Sequence, residues 1–486
     1  MKIIKEVLNS FKRKYPDLIF VFRFQKLDSV DVSYINGSLD KITQDADEGL
    51  GVHVFTKEGF TGFSSTNILN TENIEACTEK AVQNAIFAQE NKHEKVPGIK
   101  YFSKTVDKIE YKPNIKPNVE EIKSKIQNLY KEILKLHANE LDLNININFG
   151  FSYKKRNILR SDGTDIEYSY PVSVLSILLT GRKGLAVQDY YISRTGKYME
   201  TFDKANLNLL MKEINGVIKL IGKLMHAKRI ESGNYDLLLS GKVGGVFIHE
   251  AFGHTAEADS INTKSPLAKD GGFLKGKKIA PEYVQVYEQT RKFGRGYTPY
   301  CDYGFPRKKV DIVKDGKLND FLSDIVCYQE SPNGYSRSES YSDIPVTRMS
   351  NTVLEISGEN TFEFKFDPII DDIDKIYRNL LDNKIVTKEE KLLYLVSSSG
   401  GQVSTEEGTF QFNSVATYLL NKGKTELYKG VSFSGKTLSV LSSIESGSKD
   451  LEDFPGTCGK NGQHVPEIAT APKILKINKN KEILVA

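Results

Sequence analysis

Val246-Phe247-Ile248-His249-Glu250-Ala251-Phe252-Gly253-His254-Thr255-Ala256-Glu257 is the stretch on which the reading of this chain turns. An apolar run carrying His-Glu and a second His is what a zinc-dependent hydrolase places on its catalytic helix, and it makes peptide hydrolysis the leading hypothesis. The chemistry needs two neutral imidazoles at one metal, with a carboxylate beside them to take a proton from the water that attacks a carbonyl. His249 and His254 are the candidate imidazoles and Glu250 the candidate base. In the commoner H-E-x-x-H form the histidines are four apart and share a helix face at roughly 100° per residue. Here three residues separate Glu250 from His254. On an ideal α-helix that spacing sets the two rings about 140° apart, too far for one tetrahedral ion. The metal reading therefore predicts a π-bulge, or a break near Gly253, between Glu250 and His254. A buried helix whose histidines satisfy each other or the backbone fits the same spacing, so spacing alone does not decide.

A catalytic zinc keeps three protein ligands and leaves the fourth position for water. Glu257, one turn beyond His254, is a local candidate for the third, and a distant thiolate is the other. The chain has Cys77, Cys301, Cys327 and Cys458. The last sits in Pro455-Gly456-Thr457-Cys458-Gly459-Lys460-Asn461-Gly462-Gln463, read as a glycine-flanked turn where sulfur can approach a metal unhindered, with Lys460 expected to favour the ionised form. A lone cysteine in a loop is more often an inert thiol, so the residues by themselves leave the third ligand open.

Other segments carry a resemblance. Gly49-Leu50-Gly51-Val52-His53-Val54 with Gly59-Phe60-Thr61-Gly62-Phe63, Ser161-Asp162-Gly163-Thr164, Arg337-Ser338-Glu339-Ser340-Tyr341, and Pro345-Val346-Thr347-Arg348-Met349-Ser350-Asn351-Thr352 follow one another in order. Gly400-Gly401-Gln402-Val403 and the Cys458 to Gln463 segment complete the series. Together with the H-E-x-x-x-H core, the sequence resembles the TldD/PmbA family of metallopeptidases, and within it the TldD branch, over nearly the whole chain. The resemblance implies Zn2+ bound by His249, His254 and Cys458, with Glu250 as catalytic base. It also implies small or unfolded polypeptides or peptide precursors as substrates, and a dimer with a narrow interior chamber, either of two like chains or with a PmbA/TldE-like subunit that lacks the His-Glu motif. The segment from Arg337 to Thr352 either lines that chamber or pairs internally. His53 stands where the family tends to have Arg and is given no role.

A rival motif is Gly430-Val431-Ser432-Phe433-Ser434-Gly435-Lys436-Thr437, which satisfies the phosphate-binding pattern G-x-x-x-x-G-K-[ST]. A nucleotide site of that kind needs a buried strand before the loop, a helix after it and a later strand delivering an aspartate to magnesium. Too little chain follows, and bulky Val431 and Phe433 suit a strand better than a loop wrapped on phosphates. A third reading is a peptide-binding or partner subunit that keeps the fold without chemistry; the intact His-Glu-His-Cys set argues against it.

At 486 residues the chain is too long for one core and long enough for two. A formal net charge of +4, with lysines spread along the chain, speaks against nucleic-acid or membrane binding. Four scattered cysteines form no disulfide framework and fit a reducing compartment. Met1 to Lys14 reads as an amphipathic helix, not a signal peptide, and no apolar run approaches the roughly 20 residues that span a bilayer, so a soluble cytoplasmic protein is expected. Helices are expected at Ile74 to Glu90, Val119 to His137 (capped by Asn118) and Asp203 to His226. Val32 to Phe63 reads as short strands broken at Asn36-Gly37 and Glu58-Gly59, and Leu141 to Phe149 as a half-buried strand. The expected architecture is α+β, with residues 1–230 an N-terminal domain of antiparallel strands and helices. Residues 231–486 are expected to form a mostly antiparallel β domain carrying the metal helix.

Overall fold

The computed structural model describes residues 1–111, 118–136, 141–263, 265–269, 272–292, 294–327 and 332–486. His137, expected to end a helix, lies outside them.

The first half is built on one strongly paired sheet. Strands Leu18–Ile35 and Ser38–Thr56 form a hairpin closed by Asn36-Gly37, both with positive φ (49° and 79°), as a two-residue turn requires. Thr61–Thr66 extends one side of that pair, and Asp142–Arg160 and Asp165–Lys183 extend the other. Val106–Glu110 and Ala186–Gly196 both pair with Asp165–Lys183. The strands run far beyond the short segments expected, and the reason lies in burial. In Ser38–Thr56 the first half is exposed and the second is buried on both faces, so neither shows the alternation that marks a strand. Helices cover the sheet. Lys2–Lys14 buries Ile4, Val7, Leu8 and Phe11 against Thr71–Glu90, whose N-terminus is capped by Asn70 accepting from the Asn73 amide. Val119–Leu136 begins where Asn118 accepts from the Glu120 amide, and Lys204–Leu224 buries Leu210, Ile214, Val217 and Ile221 in the same large core.

The second half has two main sheets. One runs, in spatial order, through 361–362, 444–448, 474–477, 236–240, 392–404, 409–421, 432–436 and 483–485, with 424–429 also on 409–421. The other runs through 317–318, 310–314, 284–288, 351–356, 463–472 and 451–460. Most pairings are antiparallel, as expected of an α+β chain, though 236–239 with 392–395, 351–353 with 468–470 and 361–362 with 447–448 are parallel. The segment from Gly241 to Ala256 is wedged between these sheets. Val243, Phe247, Ile248, Ala251 and Phe252 are fully buried with Leu237, Leu393 and Phe412 of one sheet and Val284, Leu354 and Val465 of the other. Gly245 allows this approach: a Cβ there would stand 2.8 Å from that of Phe454.

No helix among the described residues is long and apolar enough to cross a membrane.

Candidate metal centre

The predicted distortion is present. Gly241–Phe247 is an α-helix, Ile248–Gly253 is π-helical, and His254–Ala256 is a 3-10 turn. The amide of His254 donates to the carbonyl of His249, the five-residue bond that defines a π-turn. That widening brings residues five apart onto one face, and the two imidazole centroids lie 5.0 Å apart with their planes at 81°. The wider turn is held from outside. Thr437 Oγ1 donates to the Ala251 carbonyl at 2.6 Å, and Gly253 lets Met349 pack where a Cβ would meet its sulfur at 2.0 Å.

Cys458 reaches the same place from the other sheet. Its position corrects the expected glycine-flanked turn: it lies within strand Leu451–Lys460, opposite Val465, three residues before Asn461 of the Asn461-Gly462 turn. Its Sγ stands 3.3 Å from His254 Nε2, and one donor atom from each of His249, His254 and Cys458 falls within 4.8 Å of the others. Neighbouring donors of a tetrahedral zinc are about 3.5 Å apart, given bonds of about 2.0 Å to nitrogen and 2.3 Å to sulfur, so the His254–Cys458 separation suits such an ion and the third donor lies within reach of it. Each ring also turns its second nitrogen to a carboxylate. His254 Nδ1 lies 3.0 Å from Glu257 Oε2, and His249 Nδ1 lies 3.2 Å from Glu467 Oε2, leaving both Nε2 atoms for a metal. Glu257 is therefore the partner of an imidazole, and the alternative in which it supplies the third donor falls away.

The electrostatics match a site built for a cation. Burial alone would raise the Cys458 thiol, but His254 and His249 bring it down to about 5. Burial lowers His254, yet Glu257 and Cys458 carry it up to about 10. His249 is likewise lifted well above the usual range, burial being outweighed by Glu467 and Cys458. A thiolate thus sits between two rings that hold protons, and metal uptake at these atoms requires those protons to leave. Lys460 does not act on the sulfur as expected: its ammonium binds Glu257 Oε2 at 2.8 Å, Asp259 Oδ1 at 2.7 Å and the Thr347 carbonyl at 3.1 Å.

Beside the donors a cleft of about 750 Å3 opens, lined by His249, Glu250, Arg295, Ser397 to Gly401 and Asp453 to Thr457. Lys242, Val246, His249 and Glu250 all face it, a stripe at helical spacing along the metal segment. Glu250 makes no hydrogen bond to another side chain among the described residues, and burial raises its carboxyl above the usual range. Arg295 binds the Gly456 carbonyl at 2.9 Å and the Thr457 hydroxyl at 2.8 Å, steadying one wall.

The remaining sequence candidates sit elsewhere. Ser432–Lys436 of the nucleotide-like motif is an extended strand and Lys436 pairs with Glu482, so no loop wraps a phosphate there; Thr437 braces the π-turn instead. Arg337 to Thr352 does not line the cleft. Ser336–Arg337 pairs with Val346–Thr347, and Arg348 is fully buried with its guanidinium on the Cys458 carbonyl. His53 is buried among Phe55, Phe63 and Tyr303, and burial pushes its ring down to about 3. Sequence reasoning did not find Glu467 or Thr437. Glu467 had no local signal apart from lying just past the Cys458 segment, and Thr437 was visible only as the last letter of the wrong motif.

Two imidazoles and a thiolate beside a cleft carboxylate have the make-up of a metallohydrolase centre. Residues 232–475 match the family model described as the PmbA/TldA metallopeptidase C-terminal domain, and residues 21–85 match PmbA/TldA metallopeptidase domain 1. The chain belongs to the TldD/PmbA metallopeptidase family. A metalloprotease of Methanocaldococcus jannaschii is 29% identical over 448 residues, covering 90% of this chain and 91% of that one. A Saccharolobus solfataricus protein named zinc metalloprotease TldD homolog is 26% identical, again over 90% of this chain and 91% of its own. In fold, the chain is similar to TldE of Thermococcus kodakarensis, with a TM-score of 0.67 at 16% identity over 99% of this chain and all of that one.

Proposed function

We propose that this chain is a zinc-dependent peptidase in which His249, His254 and Cys458 hold the ion and Glu250 is the general base. The observation that carries the proposal is the convergence of those three donors, from two separate segments, beside a cleft that His249 and Glu250 both line. The zinc named for the Saccharolobus relative agrees with a nitrogen-and-sulfur donor set. Bound there, zinc supplies a Lewis acid that polarises a carbonyl and acidifies water. Glu250 accepts a proton from the attacking water and hands it to the departing amine; its raised carboxyl suits both transfers. Glu257 holds the His254 ring with Nε2 forward, and the Glu467 carboxylate stands beside His249 Nδ1.

Substrate follows from the cleft walls. Leu451–Lys460 is the outer strand of its sheet, and its Asp453 to Thr457 stretch lines the cleft. Main-chain groups along such an edge recognise an extended peptide with little regard to sequence, which favours small or unfolded polypeptides. Tyr191, Ser193, Arg194, Thr195 and Glu213 line the same cleft, so we take 231–486 as the catalytic unit and 1–230 as a contributor to its wall. The fold shared with TldE motivates a paired assembly, of two like chains or with a TldE-like subunit.

Glu250→Gln tests the mechanism. It is expected to keep zinc and to lose about 100- to 10,000-fold in peptide cleavage, the usual contribution of a positioned acid-base group. Cleavage by the Gln variant at the wild-type rate would refute the general-base role.

A further inference from the structure

The Cys458 strand and the His254 segment meet only by folding, and something must fix their separation if sulfur and imidazole are to reach one ion. Lys460 is placed to do this. It lies two residues from Cys458 on the same strand, so both side chains leave the same face. An ammonium has three N–H donors, and oxygens of three residues surround this one: Glu257 Oε2 at 2.8 Å, Asp259 Oδ1 at 2.7 Å and Oδ2 at 2.6 Å, and the Thr347 carbonyl at 3.1 Å. Glu257 and Asp259 immediately follow the metal segment, and Thr347 adjoins Arg348 and Met349, which touch the Cys458 carbonyl and Gly253 respectively. Glu257 Oε2 is shared: the same oxygen faces Lys460 and His254 Nδ1. Restraint on the ammonium is therefore restraint on the ring. Glu257 is 1% exposed and the Lys460 side chain 19%, so little water competes for the pair.

We infer that Lys460 is a positioning residue for the metal centre, tying the Cys458 strand to Glu257 and Asp259 so that thiolate and imidazole are presented at one fixed separation. The inference rests on the zinc reading above. Removing the ammonium leaves buried Glu257 and the partly exposed Asp259 without the cation that joins them, and their repulsion pulls Glu257 away from His254.

The test uses the full chain, stripped with a chelator and titrated with zinc in competition with a chromophoric chelator. Lys460→Met is expected to bind zinc about 10- to 100-fold more weakly than wild type, the usual cost of losing a partner of a metal ligand. On loading with cobalt(II), its near-ultraviolet thiolate-to-metal band is expected to weaken while far-ultraviolet circular dichroism is unchanged, a signature that lost stability alone does not produce. Lys460→Arg keeps the charge and is expected to fall between the two. Should the methionine variant not fold, Lys460→Gln, which keeps two N–H donors but loses the charge, carries the same expectation of weakened zinc binding. Zinc affinity within twofold of wild type, with the full cobalt band, would overturn the role of Lys460. Wild type that takes up no zinc would instead overturn the reading on which the role rests.

Discussion

Cys458 shows how strongly a fold can change one side chain. A thiol with 4% of its surface exposed is ordinarily inert, because burial favours the neutral form. Here two imidazoles reverse that preference and bring it from its ordinary 9.0 to about 5. In metal-free protein the thiolate ultraviolet absorbance, taken as wild type minus Cys458→Ala, is accordingly expected to appear with a midpoint near 5. A midpoint near 9 would show that the rings do not hold the charge. His249, Glu250 and His254 stood out as candidates because a His-Glu-His set is a local pattern with a chemical reason, whereas Cys458 was singled out by the family resemblance. Their partners did not stand out. Glu467 and Lys460 act on rings and carboxylates that are distant in sequence, and nothing short of the hairpin's placement reveals that Lys460 points at Glu257 in preference to its neighbour's sulfur.

Among the elements, the metal segment was the most predictable, since the histidine spacing left only a widened or broken turn compatible with one ion. The structure uses the widened form and braces it through Thr437 and Met349, residues that no reading of the helix by itself could supply. Helices with polar caps were also legible: Asn70 and Asn118 stand where the chain turns helical. Strands were harder. Leu451–Lys460 contains Pro455, Gly456 and Gly459, which read as a turn, yet the strand lies at the outside of its sheet, where a missing amide donor costs little. The long hairpin of 18–56 was legible at its Asn36-Gly37 turn and in the alternation of Val30 to Ile35, but not along Ser38–Thr56, where burial changes along the strand instead of across it.

At the scale of the whole molecule, two of the hydrophobic cores among the described residues draw from both halves of the chain, so packing spans them. A buried charge cluster reinforces the join. Asp302, 1% exposed, receives Arg156 and, at 3.1 Å, Arg23 from the first sheet, and the Ser338 amide at 2.8 Å. Burial would raise its carboxyl, but Arg156 and Arg23 take it from the ordinary 3.8 to about 2. A carboxyl depressed on folding stabilises the protein above its unfolded value and stops doing so as pH falls through its folded value. Asp302→Asn is therefore expected to cost about 3–5 kcal/mol near neutral pH, by leaving two buried guanidiniums without their counter-ion. The gap in unfolding free energy from wild type should narrow between pH 3.8 and about 2. A gap that is constant over that range would exclude the carboxylate as its source.

The measurement that bears most directly on the central claim is the metal content of protein purified without chelator, set beside that of Cys458→Ala. The proposed centre predicts about one zinc per chain, falling sharply when the thiolate is removed. Protein that carries no metal even after zinc supplementation would contradict the peptidase reading and leave the fold with a binding or partner role.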